Sequence, residues 1–308
     1  MPDDRLSEVF DLVEVTTTLT GGVTARGGWW SRTLLDDPVK FFAMVSGRAR
    51  LTTDGLDAPI ELEPGDVAIL IGRSWVAFEA GDTPRLEALP ESDFSAERFA
   101  IADRVADDVL VGGCVDLTPA GRALLLGALP PVAHVRAAAA ESGRLHATLM
   151  RLFDEVTGDR IGSVFAIRQY ARLLLLEVLR AYAGQADAPP GLLRLLTDQR
   201  LRPALALMHA EPGRAWGLEE LARAAAMSRT SFAVRFREVA GVPPLSYLNT
   251  WRMLLAQRAL RAGDVRVGEL AAQLGYGSES AFSTAFKRVV GESPMRYRQR
   301  VRGAVTVV

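Results

Sequence analysis

One pattern of aromatic, glycine and proline residues occurs twice in this chain of 308 residues. The pattern is Phe-x3-Phe-x4-Gly-x2-Pro-x2-Tyr, and its first copy runs from Phe232 to Tyr247. The second copy runs from Phe282 to Tyr297, so each member lies 50 residues after its partner. A repeat at fixed spacing indicates that one structural unit is used twice, and it constrains the fold more than any other feature of the sequence.

Each copy also has the same upstream half, with a leucine-alanine pair at helical spacing and a serine suited to cap a second helix. The residues concerned are Leu221, Ala222 and Ser228 in the first copy, and Leu270, Ala271 and Ser278 in the second. Two short helices joined by a tight turn describe a helix-turn-helix. A helical solenoid also repeats helix pairs, but it needs at least three units, and this pattern occurs twice.

Residues 215–300 resemble the paired helix-turn-helix DNA-binding domain of the AraC/XylS family of transcription regulators. The most specific part of the resemblance is the run Ala-Ala-Gln-Leu-Gly-Tyr, which ends at Tyr276, together with the closing Gly-x2-Pro-x2-Tyr. The resemblance implies two recognition helices in successive major-groove segments on one face of a duplex. Residues 245–262 carry an apolar stripe between the motifs. A helix of this length, roughly 25 Å, suits recognition helices about one DNA turn apart, roughly 34 Å.

The N-terminal face of the second helix in each motif is predicted to read base edges. An arginine suits guanine, a glutamate can accept from cytosine, and small apolar side chains can contact a thymine methyl group. The predicted base-reading residues are Arg229, Thr230, Ala233 and Val234 in the first motif, and Glu279, Ser280, Ser283 and Thr284 in the second. The predicted phosphate contacts are Arg235, Arg237, Lys287 and Arg288.

Charge is divided unequally along the chain. Residues 192–308 hold 18 Arg and Lys against 9 Asp and Glu, a net charge of +9. The remaining residues hold 18 basic and 28 acidic side chains, a net charge of −10, although the whole chain carries only −1. A basic C-terminal domain favours a polyanionic partner, and we therefore expect this domain to bind double-stranded promoter DNA.

The first 110 residues are typical of an all-β domain, because short β-rich segments such as 41–45, 49–53 and 67–71 alternate with glycine and proline turns. The run from Glu61 to Val67 resembles the second conserved strand-turn of the cupin barrel. The predicted class is α+β, with an N-terminal cupin-like β-barrel, a helical segment and a C-terminal all-α double helix-turn-helix domain. The predicted ranges are 1–115 for the barrel, 116–182 for the helical association segment, 183–191 for a linker and 192–308 for the DNA-binding domain.

A small-molecule effector is predicted to bind inside the barrel, in an apolar pocket without metal. The predicted wall residues are Trp29, Trp30, Phe42, Trp75 and Phe78. Arg26, Arg48 or Arg73 is available to orient a carboxylate. A barrel interior filled by its own side chains would instead indicate a dimerisation scaffold and would contradict the effector hypothesis. Leucine-rich residues 165–182 suit either a core helix or a subunit contact, and a homodimer is predicted.

Catalytic, cofactor and metal motifs are not found in the sequence. His134, His146 and His209 share no ligand-like spacing, which disfavours a metal-dependent cupin enzyme. The lone Cys114 fits a reducing cytoplasm, and no apolar run approaches the ~18 residues of a membrane span. We therefore predict a cytoplasmic bacterial transcription regulator that responds to an effector and, if it is an activator, contacts RNA polymerase. A redox sensor acting through Cys114 and a cupin-type enzyme or binding protein stay open as alternatives.

Overall fold

The computed structural model describes residues 5–13, 15–81, 87–88, 107–117, 119–127, 129–137, 142–158, 160–183 and 189–305. By its internal contacts the chain forms two compact units. The sheet unit comprises Val15–Asp116 and Leu129–Asp187, and the helical unit comprises Met1–Glu14, Leu117–Ala128 and Ala188–Val308.

The sheet unit contains two five-stranded sheets. Its strands are β1 (Thr16–Ala25), β2 (Trp29–Leu34), β3 (Val39–Ser46), β4 (Ala49–Thr53), β5 (Ile60–Leu62), β6 (Val67–Ile71), β7 (Trp75–Ala80), β8 (Glu87–Ala88), β9 (Asp108–Asp116) and β10 (Val132–Val135). The first sheet has the order β1-β9-β3-β6-β10, and the second has the order β5-β4-β7-β2-β8. Neighbouring strands pair antiparallel, except that β2 and β8 pair parallel.

Strand β3 is buried along nearly its whole length because the first sheet is covered on both faces. Phe42 and Met44 point into the core between the two sheets. On the other side lie α3 (Ser142–Thr157) and α4 (Ser163–Ala183), which pack against each other; α3 contacts β3, and α4 contacts β1 and β10. The second sheet instead alternates buried and more exposed positions, as expected for a sheet with one core-facing side.

Among the described residues, the protein's own side chains pack in the space between the sheets, which argues against the predicted internal pocket. Trp29, Phe42 and Phe78 are only 1%, 2% and 4% exposed and belong to one apolar core cluster. Trp29 Nε1 also donates a 2.8 Å hydrogen bond to Asp108. These three aromatic side chains therefore have a packing role. Trp30, by contrast, is exposed beside its buried neighbour because successive residues of a strand point to opposite faces.

Strand β10 lies within the range that the sequence assigns to a helical segment. Its four residues pair with β6, with Ala133 opposite Ile69 and Val135 opposite Val67. Ala133 and Val135 are fully buried, and they complete the edge of the first sheet. The strand is too short to show a clear alternation of apolar and polar residues. The sequence around it therefore favours a helical segment.

A buried carboxylate holds the turn before β6. Gly65 has a φ of +91°, and an added Cβ would lie 2.9 Å from His146 Nδ1. Asp66 accepts hydrogen bonds from Ala137 N at 2.7 Å and Glu63 N at 3.1 Å, and its Oδ2 lies 2.9 Å from His134 Nε2. Burial raises the pKa of Asp66, but these hydrogen bonds outweigh burial and hold the pKa below its ordinary value of 3.8.

We expect Asp66→Asn to destabilise the sheet unit by about 2 kcal/mol at neutral pH, because the amide puts a donor where the carboxylate accepts. A lowered folded-state pKa means that the carboxylate stabilises the fold above its unfolded-state pKa, and that this contribution is lost as the pH falls through the folded-state pKa. Urea unfolding of both proteins between about pH 6 and pH 3 measures this. The wild type should lose more stability than the variant over that range; equal losses would contradict the assignment.

Cys114 lies in β9 and is buried. Burial raises the pKa of its thiol, and the charge of Asp37 adds to the effect. A thiol with a raised pKa holds little reactive thiolate at neutral pH. The environment therefore favours a packing role for Cys114 over the redox alternative.

The helical unit collects helices from three parts of the chain. They are α1 (Arg5–Leu12), α2 (Pro119–Leu125), α5 (Leu192–Thr197), α6 (Arg202–Ala210), α7 (Leu218–Ala224), α8 (Arg229–Ala240), α9 (Pro244–Ala262), α10 (Val267–Gln273), α11 (Glu279–Val290) and α12 (Pro294–Val305). The sequence assigns α1 to the barrel, but α1 contacts α9, and Arg261 Nη2 of α9 donates to Leu12 O at 3.0 Å. Most of the predicted linker, residues 184–188, lies outside the described residues.

Candidate nucleic-acid interface

The repeated aromatic residues form the same small core in each motif. Phe236 packs edge-on against Tyr247 with 5.8 Å between ring centroids, and Phe286 packs against Tyr297 at 5.6 Å. In both copies the first phenylalanine is 0% exposed and lies 5.7 Å from the second. The spacing of the repeated pattern is therefore the spacing of a packing unit that closes each helix-turn-helix.

The closing tyrosine of each copy is held by the helix that precedes its motif. Tyr247 Oη lies 2.8 Å from His209 Nε2 of α6, and Tyr297 Oη accepts a 2.7 Å hydrogen bond from Arg261 Nη1 of α9. The His209 ring also stacks on Trp251, with 3.7 Å between centroids. Helix α6 therefore supports the first motif as α9 supports the second.

Both second helices begin at the serine that the sequence predicts as a cap, and each ends at a glycine. Ser228 Oγ accepts from Ser231 N at 3.2 Å, and Ser278 Oγ accepts from Ala281 N at 3.1 Å. Each hydrogen bond satisfies a free backbone donor in the first helical turn. Gly241 and Gly291 end the helices with φ values of +73° and +93°, a conformation that glycine adopts without strain.

The predicted base-reading residues lie along the outward faces of α8 and α11. Arg229, Thr230, Glu279, Ser280 and Thr284 are exposed, and Val234 is 52% exposed. Ala233 and Ser283 are half-buried beside the core phenylalanines. The two motifs therefore present equivalent faces, and the first is more apolar because of its alanine and valine.

Three of the four predicted phosphate contacts are exposed, namely Arg237, Lys287 and Arg288. Arg235 differs, because its Nη2 donates a 2.7 Å hydrogen bond to Oδ2 of Asp198, whose side chain is 8% exposed. Asp198 Oδ1 also accepts from the backbone N–H groups of Arg200 and Leu201 at 2.9 and 3.0 Å. Arg235 therefore joins α8 to the start of α6, a role that sequence reasoning missed.

One arginine of α9 ties the two motifs together. Arg252 donates to Pro212 O at 2.5 Å and to Arg214 O at 2.9 Å in the loop before α7. Its guanidinium also lies 5.8 Å from the ring centroid of Tyr276, in the turn of the second motif. Tyr276 Oη in turn lies 2.5 Å from Asn249 Oδ1 of α9. The connecting helix thus fixes the position of one motif relative to the other.

Two backbone segments approach closely at the same place. An added Cβ on Gly275 would lie 2.1 Å from Gly213 O, and Gly275 has a φ of +78°. In the first motif the equivalent turn position is Ala226, which adopts a φ of +52°. Glycine is therefore required in the second turn by both conformation and space, whereas the first turn tolerates alanine with some strain.

Comparison with known proteins matches two successive parts of the chain to families. Residues 4–184 match a family described as cupin, and residues 221–300 match a helix-turn-helix domain family. The chain is 35% identical over 298 residues to a protein of Streptomyces lividans named as an AraC-like transcription regulator, covering 96% of this chain and 98% of that relative. It is also 35% identical over 308 residues to the HTH-type transcriptional regulator AlkR of Acinetobacter baylyi, covering 96% and 99%.

Solved structures are similar to the same regions. The DNA-binding domain of AdpA, a global transcriptional factor crystallised with a target DNA, is 35% identical and covers 36% of this chain and 100% of that chain, with a TM-score of 0.34. ToxT from Vibrio cholerae is 15% identical and covers 95% and 99%, with a TM-score of 0.38.

The relatives that match nearly the whole chain are named transcription regulators, and the two matched families follow each other in the predicted order. The predicted fold class and family are thereby confirmed, and a cupin-type enzyme is not supported. None of the helices in the described part of the chain is long and apolar enough to span a bilayer. The chain belongs to the AraC family of DNA-binding transcription regulators.

Proposed function

We propose that α8 and α11 are recognition helices that read two successive major-groove segments of promoter DNA. The observation that carries this proposal is the equivalence of the two motifs, which share a core, a serine cap and an exposed N-terminal face. A helix-turn-helix presents this part of its second helix to base edges. The two motifs are also held at a fixed spacing, which supports the same proposal. Arg252, on the helix that connects the motifs, donates hydrogen bonds to the loop that precedes α7.

Within each face, the side chains have distinct proposed tasks. Arg229 and Glu279 are exposed at the first turns of their helices, where a guanine or a cytosine amino group suits their chemistry. Thr230, Ser280, Ser283 and Thr284 supply shorter polar contacts, and Ala233 and Val234 supply apolar ones. Arg237, Lys287 and Arg288 are exposed cations suited to phosphates, whereas the ion pair with Asp198 removes Arg235 from that set.

Two matched substitutions on α11 test these tasks. We expect Thr284→Ala to change the preference at particular base pairs by about 1–3 kcal/mol, because a base contact is lost. Lys287→Ala should weaken binding to all DNA sequences alike. It should also reduce the slope of log affinity against log salt by about one, as expected for the loss of one phosphate contact. Binding-site selection from random duplex DNA, followed by salt titration, measures both. Identical preferred sequences for wild type and Thr284→Ala would count against α11 as a base reader.

A homodimer formed through α4 is part of the proposal. Phe165 and Leu173 are exposed large apolar residues on this helix, and Ile161 and Val164 are exposed at its start. Exposed apolar patches on proteins in water mark association surfaces.

Regulation by a small effector completes the proposal. The packed core between the sheets counts against the predicted internal effector pocket and favours a scaffold role for that interior. A cavity on the outer face of the second sheet is the observation that supports an effector site elsewhere. The regulator would act in the cytoplasm, where promoter DNA is accessible, and would contact RNA polymerase if it activates transcription.

A further inference from the structure

The outer face of the second sheet carries a cavity of about 360 Å³. Its walls are formed by Trp30, Arg32, Thr52, Trp75, Ala77, Phe78 and Glu79. The volume lies near the lower end of the range for small-molecule sites, roughly 300–1,000 Å³, which suits a compact ligand of one or two rings. The cavity opens on the face opposite the apolar core, so it can be reached without unfolding the sheet.

A small residue at the centre of a row of large ones creates the cavity. Ala77 of β7 pairs with Arg32 of β2 on one side and with Thr52 of β4 on the other. Trp75 and Glu79 lie two residues before and after it, and therefore point to the same face. The Ala77 side chain is a single methyl group and is shorter than the side chains of these four neighbours. It therefore forms the floor of the cavity, and the neighbours form its sides.

At one wall lies an arginine that has no acidic partner among the described residues. The Arg32 guanidinium is held 4.6 Å from the ring centroid of Trp75. Within the described residues Arg32 makes no ion pair. Glu79, the acidic side chain at the cavity, pairs with Arg50 at 3.2 Å instead. A cation stacked on an aromatic ring keeps its in-plane N–H donors available, and a carboxylate can accept two of them.

Aromatic surface flanks this cation on both sides. Trp30 is 42% exposed on the same face, and Trp75 is half-buried. The exposed Trp30 indole beside the methyl floor provides flat, polarisable contact for a planar ring, while Trp75 holds the guanidinium of Arg32. The Thr52 hydroxyl adds one neutral donor or acceptor at the cavity.

We propose that this cavity is the effector site and that it binds a planar aromatic carboxylate. Its ring packs against Trp30 over the methyl group of Ala77, and its carboxylate accepts from the guanidinium of Arg32, which stays over the Trp75 ring. The inference rests on the proposed effector response. It assigns the contact with the carboxylate to Arg32 instead of the arginines that the sequence suggested. Arg73, for example, is engaged by the carbonyl oxygens of Ile71 and Asp54.

Isothermal titration calorimetry of the full chain with 2-naphthoate tests the site, with 2-naphthamide as the uncharged probe. We expect 1:1 binding of the carboxylate and at least tenfold weaker binding of the amide, since the charged hydrogen bonds are lost. Arg32→Gln should weaken naphthoate about tenfold or more. Ala77→Phe should abolish binding because the larger side chain fills the cavity, whereas Arg48→Gln, which removes an exposed arginine that pairs with Glu63 outside the walls, should stay within about twofold.

Three results would overturn the inference: no naphthoate binding at millimolar concentration, equal binding by wild type and Arg32→Gln, or equal binding by Ala77→Phe. Sedimentation equilibrium of the wild type and Trp30→Ser tests one competing role of this face. Association that depends on Trp30 would make the face a contact between two copies of the chain. Duplex DNA binding is measured on the same samples, so that intact DNA binding without naphthoate binding removes only the effector site.

Discussion

We expect Gly275→Ala to destabilise the helical unit by about 3 kcal/mol or more and to abolish tight DNA binding at physiological temperature. The residue has a φ of +78°, which is strained for any residue with a Cβ. The new methyl group would also lie 2.1 Å from Gly213 O, an atom of the backbone that cannot rotate away. The turn of the second motif would therefore be pushed away from the loop that precedes α7 in the first motif.

Gly277→Ala is the matched control for that substitution. Gly277 lies two residues further along the same turn, and an added Cβ would meet no atom within 4 Å. Its effect should stay within about 0.5 kcal/mol. Urea unfolding and DNA titration of both variants give the comparison. A Gly275→Ala protein as stable as the Gly277→Ala protein would show that the two segments do not approach as closely as described.

The second large effect is expected for Asp198→Ala, which should cost about 2–3 kcal/mol of stability. The substitution removes the partner of the half-buried Arg235 guanidinium and the acceptor of two backbone N–H groups at the start of α6. Helix α8 carries Arg235, so DNA affinity should fall as well, although Asp198 is not proposed to contact DNA.

Asp264→Ala provides the control, because Asp264 pairs with Arg302 while its own side chain is 85% exposed. Exposed ion pairs contribute at most about 1 kcal/mol, and often much less. Chemical unfolding of both variants measures the difference. If Asp198→Ala were no more destabilising than Asp264→Ala, Arg235 would return to the set of candidate phosphate contacts.

The double helix-turn-helix could be predicted from sequence because its determinants are local and repeated. Ser228 and Ser278 cap the helices that follow them, and the buried phenylalanines recur at helical spacing. The connecting helix, predicted over 245–262, spans Pro244–Ala262. Each of these features depends on residues close together in the chain, where propensity and periodicity are most informative.

The features that sequence reasoning missed depend on residues far apart in the chain. Arg235 and Asp198 are 37 residues apart, and an arginine looks the same in sequence whether it faces DNA or a buried carboxylate. The aromatic residues near the N-terminus indicated a pocket, but composition does not say which side of a strand faces the core. Alternation along β2 buries Trp29 and exposes Trp30, so the candidate site lies outside the sheets rather than between them.

Footprinting of the full chain on a DNA site selected from random duplexes tests the central claim most directly. Two recognition helices fixed to one connecting helix predict two protected major-groove segments on one face of the duplex, centred about one helical turn or 10–10.5 base pairs apart. Protection should also weaken steeply as salt rises, because phosphate contacts release counterions. A single protected segment, or two segments on opposite faces of the duplex, would contradict the account.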